Sequence, residues 1–161
     1  MAGCLYLCGM NEVLVRPARP EDGPVFVSLV RALAEFEKLP GPTEDAADRL
    51  IEDAFGPARR YTLTMAEVDG DTVAYAVTFD TYSTFRARPS LFLEDLFVHP
   101  RGRRRGVASA MLKYLREHAE RNGYGRFEWN VLDWNVDAIR FYEGLGAELL
   151  PSWRVCRISF P

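Results

Sequence analysis

Histidine and cysteine are scarce in this chain. The 161 residues include two histidines, His99 and His118, and three cysteines, Cys4, Cys8 and Cys156. Two histidines offer little to help bind a metal, and we expect no metal site. Three cysteines leave one unpaired in any disulfide scheme, so a reducing compartment is the simpler interpretation, and we expect the cytoplasm.

Long apolar runs and an excess of positive charge are missing as well. The opening segment MAGCLYLCGM has no basic n-region and no apolar core of roughly 7–15 residues, so we expect neither a signal peptide nor a membrane span. Twenty basic and 23 acidic residues give a net charge of −3, whereas nucleic-acid-binding domains are usually basic. We therefore expect no nucleic acid among the partners, and any anion site must be local.

What the chain does contain is enough apolar sequence, 48%, for one substantial core. The first ten residues precede the first patterned strand and are expected to be a disordered extension or a start-site artefact, which leaves residues 11–161 as a single domain. Alternation and helical periodicity predict an α/β fold in the order β-α-α-β-β-β-α-β-α-β. The predicted strands are 12–18, 61–68, 72–84, 90–98, 126–132 and 152–160, and the predicted helices are 24–39, 44–55, 104–121 and 135–142.

The segment VHPRGRRRGVASAML, residues 98–112, joins a predicted strand to a helix through an arginine-rich loop. Such a run can be a solvated surface, a nucleic-acid contact or a pocket for a small polyanion. Backbone N–H groups and the helix dipole make the start of the helix a suitable anion site. The loop is neither a Walker A sequence nor a GxGxxG turn, but 103–108 fits the pattern Arg/Gln-x-x-Gly-x-Gly/Ala.

A second block at a distance strengthens the polyanion interpretation. LEDLFVHPRGRRRGVASAML is followed by VLDWNVDAIRFYEGLGA, and this pair of blocks resembles the GNAT-superfamily acetyltransferases. The similarity is closest to the diamine branch, the spermidine/spermine and thialysine N-acetyltransferases, and extends over roughly residues 13–160 through LEDLFV, DWN, FYEGLGA, SWRV, ALAEFEK and LIEDAFG. The resemblance implies a mixed central sheet flanked by helices, acetyl-CoA as co-substrate, a small cationic amine as acceptor, and a homodimer.

The resemblance also assigns roles to residues. Those matched to acetyl-CoA binding are Leu96, Phe97, Val98, Arg103, Arg104, Arg105, Gly106, Val107, Ala108, Asn135 and Tyr142. Those matched to the acceptor are Glu94, Asp95, Glu37 and Phe85. Carboxylates around the acceptor are expected to select cations.

Acetylation of an amine needs a proton acceptor and a proton donor. An alkylamine with a pKa of about 10.4 is only about 0.04% neutral at pH 7, which corresponds to roughly 4.6 kcal/mol. Glu94, acting directly or through a water, is the expected proton acceptor, and Tyr142 is the expected donor to the leaving thiolate. Backbone N–H groups around Leu96 to Val98 are expected to stabilise the oxyanion if this strand splays from its neighbour, and the resemblance implies a bulge in the strand.

Other functions are compatible with the same residues. Within the family, the acceptor could be a protein N-terminus or an antibiotic amine. Outside it, the chain could bind acyl-CoA without catalysis, or use the arginine-rich loop on a nucleic acid.

Overall fold

A computed structural model describes residues 3–8 and 11–160, in two compact units, residues 1–129 and 130–161. The strands are β1 (Cys4–Cys8), β2 (Asn11–Pro17), β3 (Thr62–Val68), β4 (Asp71–Ser83), β5 (Arg88–Val98) and β6 (Arg126–Trp129). The helices are α1 (Gly23–Glu37), α2 (Glu44–Phe55), α3 (Val107–Arg121) and α4 (Val136–Gly144), with 3₁₀ turns at Pro20–Asp22 and Pro100–Gly102. In the described ranges, no helix is long and apolar enough to cross a bilayer.

The strands form one mixed sheet in the order β1-β2-β3-β4-β5-β6. All neighbours pair antiparallel except β5 and β6, which are parallel because α3 forms the crossover between them. The predicted α/β fold with a mixed central sheet is confirmed.

The turn and cap residues act as the sequence predicts. Asp69 and Gly70, with φ of 54° and 84°, make the two-residue turn between β3 and β4. The Thr43 side chain accepts a hydrogen bond from the Ala46 N–H at 3.3 Å and begins α2. Gly123, with φ of 73°, follows the end of α3.

Two predictions about the ends of the chain are wrong. Residues 4–8 are not a disordered extension, because their backbone pairs with β2 from Cys4 opposite Val15 to Cys8 opposite Asn11. Residues 1, 2, 9 and 10 of the predicted extension lie outside the described residues. Residues 152–160 do not form a strand, since an alternating pattern needs a neighbouring strand to pair with its backbone and none pairs with this segment in the described part of the chain.

The core of the first unit fixes which face of the sheet each strand residue occupies. One buried cluster joins Phe26 and Leu29 of α1 and Ala54 of α2 to residues of β3, β4 and β5; its sheet members are Leu63, Met65, Tyr75, Val77 and Phe97. Helix α3 also contacts the sheet, and its buried residues lie outside this cluster. Thus α1 and α2 cover one face of the sheet, and α3 covers the other.

Candidate active site

A β-bulge interrupts β5 at the carboxylate pair. Thr78 of β4 pairs with Leu93, but the next residue, Val77, pairs with Asp95, so Glu94 has no residue opposite it. One extra residue in a strand reverses the alternation of its side chains across the sheet. The bulge therefore places Asp95 on the same face of the sheet as Val77 and as Phe97, two positions further along β5. This is the face that α1 and α2 cover.

Acidic groups converge around Asp95. Asp95 is partly buried and Glu94 is exposed, while Glu37 lies at the last position of α1. Burial first, and then the negative charges of Glu94 and Glu37, raise the pKa of Asp95 to about 6. Two of the elements predicted to face the acceptor, the end of α1 and the middle of β5, are thus close enough to interact electrostatically.

Tyr75 connects this acidic cluster to the core. Its ring is fully buried, with an edge-on contact to Phe26 at a centroid distance of 5.1 Å, and its hydroxyl donates to Asp95 Oδ2 at 3.5 Å. Burial and the nearby carboxylate raise the Tyr75 pKa, so the hydroxyl keeps its proton. Tyr75 is not among the site residues predicted from the sequence. The signal for it is a tyrosine between alanines in a buried strand, TVAYAV, where a phenol needs a polar partner.

The second half of β5 pairs with β4 but no longer with β6. Only Ser90 to Leu93 pair with β6, whose last residue is Trp129, whereas Leu96, Phe97 and Val98 keep their pairing with β4. Beyond Leu93, the backbone groups that point away from β4 have no strand partner among the described residues. These groups include the ones predicted to contact acetyl-CoA and to stabilise the oxyanion.

The arginine-rich loop is held close to the sheet before α3 begins. A side chain at Gly102 would bring its Cβ within 2.7 Å of Val73 Cγ2, so only glycine fits there without displacing the loop. Gly106 is the N-cap of α3 and has a φ of 77°. The N–H groups of Val107, Ala108 and Ser109 precede the first intrahelical bond, from the Ala110 N–H to the Gly106 carbonyl at 3.0 Å, and are available to an anion.

Most arginine side chains of the loop already have protein contacts. Arg101 donates to the Thr72 carbonyl at 2.8 Å, and Arg105 forms an ion pair with Asp69 at 2.6 Å. Arg103 donates to the Val98 carbonyl at 3.1 Å, and its guanidinium lies 5.1 Å from the centre of the Phe36 ring. Arg104 is exposed, with a φ of 59°.

The second unit contains the two remaining predicted contacts. Asn135 is the N-cap of α4, and its Oδ1 accepts from the Ala138 N–H at 3.2 Å. Tyr142 lies two residues before the end of the same helix, beside the Phe141 ring. Burial raises the Tyr142 pKa, so the phenol is protonated at neutral pH and can donate.

Phe85 is not brought to the carboxylates. It lies at the tip of the β4–β5 hairpin and is fully exposed, beyond the last pair, Ser83 with Arg88. The five residue-to-residue steps from Arg88 to Leu93 span about 17 Å, which separates the tip from the bulge. No group of three or more potential metal ligands is found within the residues that the structure describes.

Comparison with known sequences gives a consistent set of relatives. Residues 27–147 match the acetyltransferase (GNAT) family. The chain is 33% identical over 147 residues to a thialysine N-epsilon-acetyltransferase from Bos taurus, covering 86% of each chain. It is 37% identical over 112 residues to an L-ornithine N5-acetyltransferase, NATA1, from Arabidopsis thaliana; this match covers 70% of the chain and 48% of the plant protein, about half of its length.

Solved structures share the fold. An aminoglycoside N-acetyltransferase, AAC(6')-Iy, in complex with CoA has a TM-score of 0.76 and 20% identity, with coverage of 95% of this chain and 99% of that one. A ribosomal-protein-alanine N-acetyltransferase from Brucella melitensis has a TM-score of 0.72 and 22% identity, with coverage of 92% and 99%. At these identities the similarity is evidence for the fold alone.

Proposed function

The chain belongs to the acetyltransferase (GNAT) family, and from this premise we propose that it transfers acetyl directly from acetyl-CoA to a primary amine of a small cationic acceptor. The observation that carries the proposal is the acidic cluster formed by Glu94 and Asp95 of the bulged strand β5 and by Glu37 at the end of α1. A protonated amine is the complementary ligand for three carboxylates in a partly buried site. Relatives named for thialysine and ornithine acetylation, both amino acids with a second amine, support the same acceptor class.

The arginine-rich loop suits the pyrophosphate of acetyl-CoA. Gly106 and the free N–H groups at the start of α3 offer a close backbone approach and a positive helix end. Arg103 and Arg104 add side-chain charge. The strand edge of β5 beyond Leu93 offers backbone groups for the amides of the pantetheine arm.

The proposed reaction needs no covalent enzyme intermediate. The amine nitrogen forms a bond to the thioester carbonyl carbon and the carbon–sulfur bond breaks, so RNH₃⁺ and acetyl-CoA give RNH–COCH₃, CoA–SH and one H⁺. One ammonium proton passes to a carboxylate and then to solvent. The leaving sulfur gains a proton, for which Tyr142 is the proposed donor. The other ammonium proton replaces the one that Tyr142 gives up.

The test of this function is an acceptor panel with acetyl-CoA. We expect thialysine, ornithine, putrescine and spermidine to be acetylated faster than an aminoglycoside and a peptide with a free N-terminus, measured by CoA release and mass spectrometry. Faster turnover of the peptide or the aminoglycoside would assign a different acceptor. Binding of acetyl-CoA without turnover of any amine would overturn the enzymatic proposal.

Removing positive charge from the loop should weaken acetyl-CoA binding. For Arg103→Ala/Arg104→Ala we expect KM for acetyl-CoA to rise about tenfold, since hydrogen bonds to charged groups contribute about 1.5–3 kcal/mol each before solvent screening. The value of kcat should change little, and salt should weaken binding in wild type more than in the variant. Isothermal titration with CoA and steady-state kinetics measure both effects.

A matched control removes the same charge from the distant end of the same helix and from an exposed turn. Arg121 ends α3, about 22 Å from its first residue, and Arg59 precedes β3. Arg59→Ala/Arg121→Ala should leave CoA affinity as in wild type. Equal affinity losses in the two double variants would indicate a net-charge effect and no local phosphate site.

A further inference from the structure

We propose that Asp95, and not its exposed neighbour Glu94, is the group that accepts the proton from the amine, and that Tyr75 positions it. The inference rests on the proposed acetyltransferase function and assigns one of its proton transfers. From the sequence, Glu94 is the expected acceptor because it lies near the end of a strand beside the arginine-rich loop, and the pattern does not show that its environment differs from that of Asp95.

The bulge at Glu94 separates the two carboxylates. Without the extra residue, Asp95 would share a face of the sheet with Leu93 and its partner Thr78. That is the face that α1 and α2 do not cover. With the extra residue, Asp95 is partly buried beside Tyr75 and Val77, whereas Glu94 is exposed at the bulge. A proton acceptor in a fixed, partly desolvated position has a defined geometry toward a bound amine, which a side chain free in solvent lacks.

Tyr75 restricts the position of Asp95. Its ring is fixed between Phe26 and Phe97, with centroid distances of 5.1 and 6.4 Å, and its hydroxyl donates to Oδ2. This leaves the other carboxylate oxygen, Oδ1, for the ammonium group. Tyr75 is therefore a positioning residue that acts through Asp95.

Titratable groups on several neighbouring elements interact electrostatically with Asp95. They are Glu37 at the end of α1, Tyr75 on β4, Glu94 on β5 and, within electrostatic reach, Tyr61 just before β3. Burial and the two carboxylates raise the pKa of Asp95 to about 6, and the Tyr75 hydrogen bond lowers it. At pH 7 the group is mostly ionised and can accept a proton, while its raised pKa makes it a stronger base than an ordinary aspartate.

The pH dependence of kcat/KM for putrescine tests the assignment. In wild type we expect kcat/KM to fall on the acid side with an apparent pKa near 6, because Asp95 must be ionised. Asp95→Asn should lower kcat/KM at pH 7 by about 10²-fold or more. Its remaining activity should rise about tenfold per pH unit toward the pKa of the amine, since only neutral amine then reacts.

Two conservative variants should move the acid-side pKa in opposite directions. Tyr75→Phe removes the hydrogen bond that lowers the Asp95 pKa, so the profile should shift to higher pH, which a purely structural role would not cause. Glu94→Gln removes a negative charge, so the profile should shift to lower pH while its acid side remains.

The reverse pattern would overturn the inference. If Glu94 were the acceptor, Glu94→Gln would abolish the acid side of the profile, and Asp95→Asn would keep it at a lower pH. An active wild type with that pattern leaves the proposed function intact. A wild type that acetylates no amine overturns both.

Thermal unfolding gives a readout independent of turnover. A carboxyl whose pKa is higher in the folded state than the usual value of about 3.9 costs stability as the pH rises from about 4 to about 6. Asp95→Asn lacks this cost, so its Tm relative to wild type should be higher at pH 8 than at pH 4.5. The same Tm difference at both pH values would contradict the proposed titration of Asp95.

Discussion

Tyr142→Phe is expected to lower kcat by about 10²-fold or more, with little change in KM for the amine or acetyl-CoA. The reason is that general acid catalysis contributes roughly 10²–10⁴-fold and acts only in the transition state. Burial raises the pKa of the Tyr142 phenol, so its proton is present throughout the neutral range. Phenylalanine keeps the ring beside Phe141 and leaves the packing of α4 nearly unchanged.

Tyr82→Phe is the matched control for this prediction. Tyr82 lies near the end of β4, is 64% exposed, and its hydroxyl has no role in the proposed chemistry. The control should retain wild-type kcat. Full activity in Tyr142→Phe would instead mean that the thiolate is protonated by solvent and that Tyr142 is a packing residue. Equal losses in both variants would point to a general effect of removing a hydroxyl group.

The elements that the sequence predicts well are those with local signals. The turn at Asp69 and Gly70, the cap at Thr43 and the helix end at Gly123 each depend on a few adjacent residues with restricted conformations. The position of the arginine-rich loop before a helix was likewise predictable, because glycine spacing before an amphipathic helix is a local pattern. These features required no knowledge of which strands pair.

The misplaced elements depend on partners distant in sequence. Residues 152–160 alternate as a strand would, yet alternation does not supply a strand to pair with, and Cys156 within this segment is exposed. The pairing of β1 with β2 was missed because residues 4–8, CLYLC, are apolar throughout and show no alternation.

The bulge at Glu94 shows the same limit inside the site. The resemblance implies a bulge in this strand, but LEDLFV does not show which residue lacks a partner, so the faces of Glu94 and Asp95 could not be assigned. The proximity of Glu37 and Tyr75 to Asp95 also follows from tertiary packing of α1 on the sheet. The sequence located the carboxylates, and the structure distinguishes their environments.

The acceptor site is expected to prefer amines with a second positive charge. If Asp95 takes the proton, Glu37 and Glu94 remain as negative charges for the distal cation of the acceptor. Two unit charges about 6 Å apart attract by about 2.8 kcal/mol at an effective dielectric constant of about 20, which is about 100-fold in binding. Because Glu94 is exposed and screened, we expect kcat/KM for putrescine to exceed that for butylamine, the matched monoamine, by about tenfold or more.

Glu37→Gln should remove much of this preference while sparing the monoamine. Measured at pH 8, above the pKa of Asp95, kcat/KM for putrescine should fall about tenfold and that for butylamine should stay unchanged, because only putrescine has a distal cation to lose. Glu21→Gln is the control; this exposed carboxylate lies just before α1, about 22 Å from Glu37 along the helix axis. Butylamine reacting as well as putrescine in wild type, or a preference that survives both Glu37→Gln and Glu94→Gln, would show that charge does not select the acceptor.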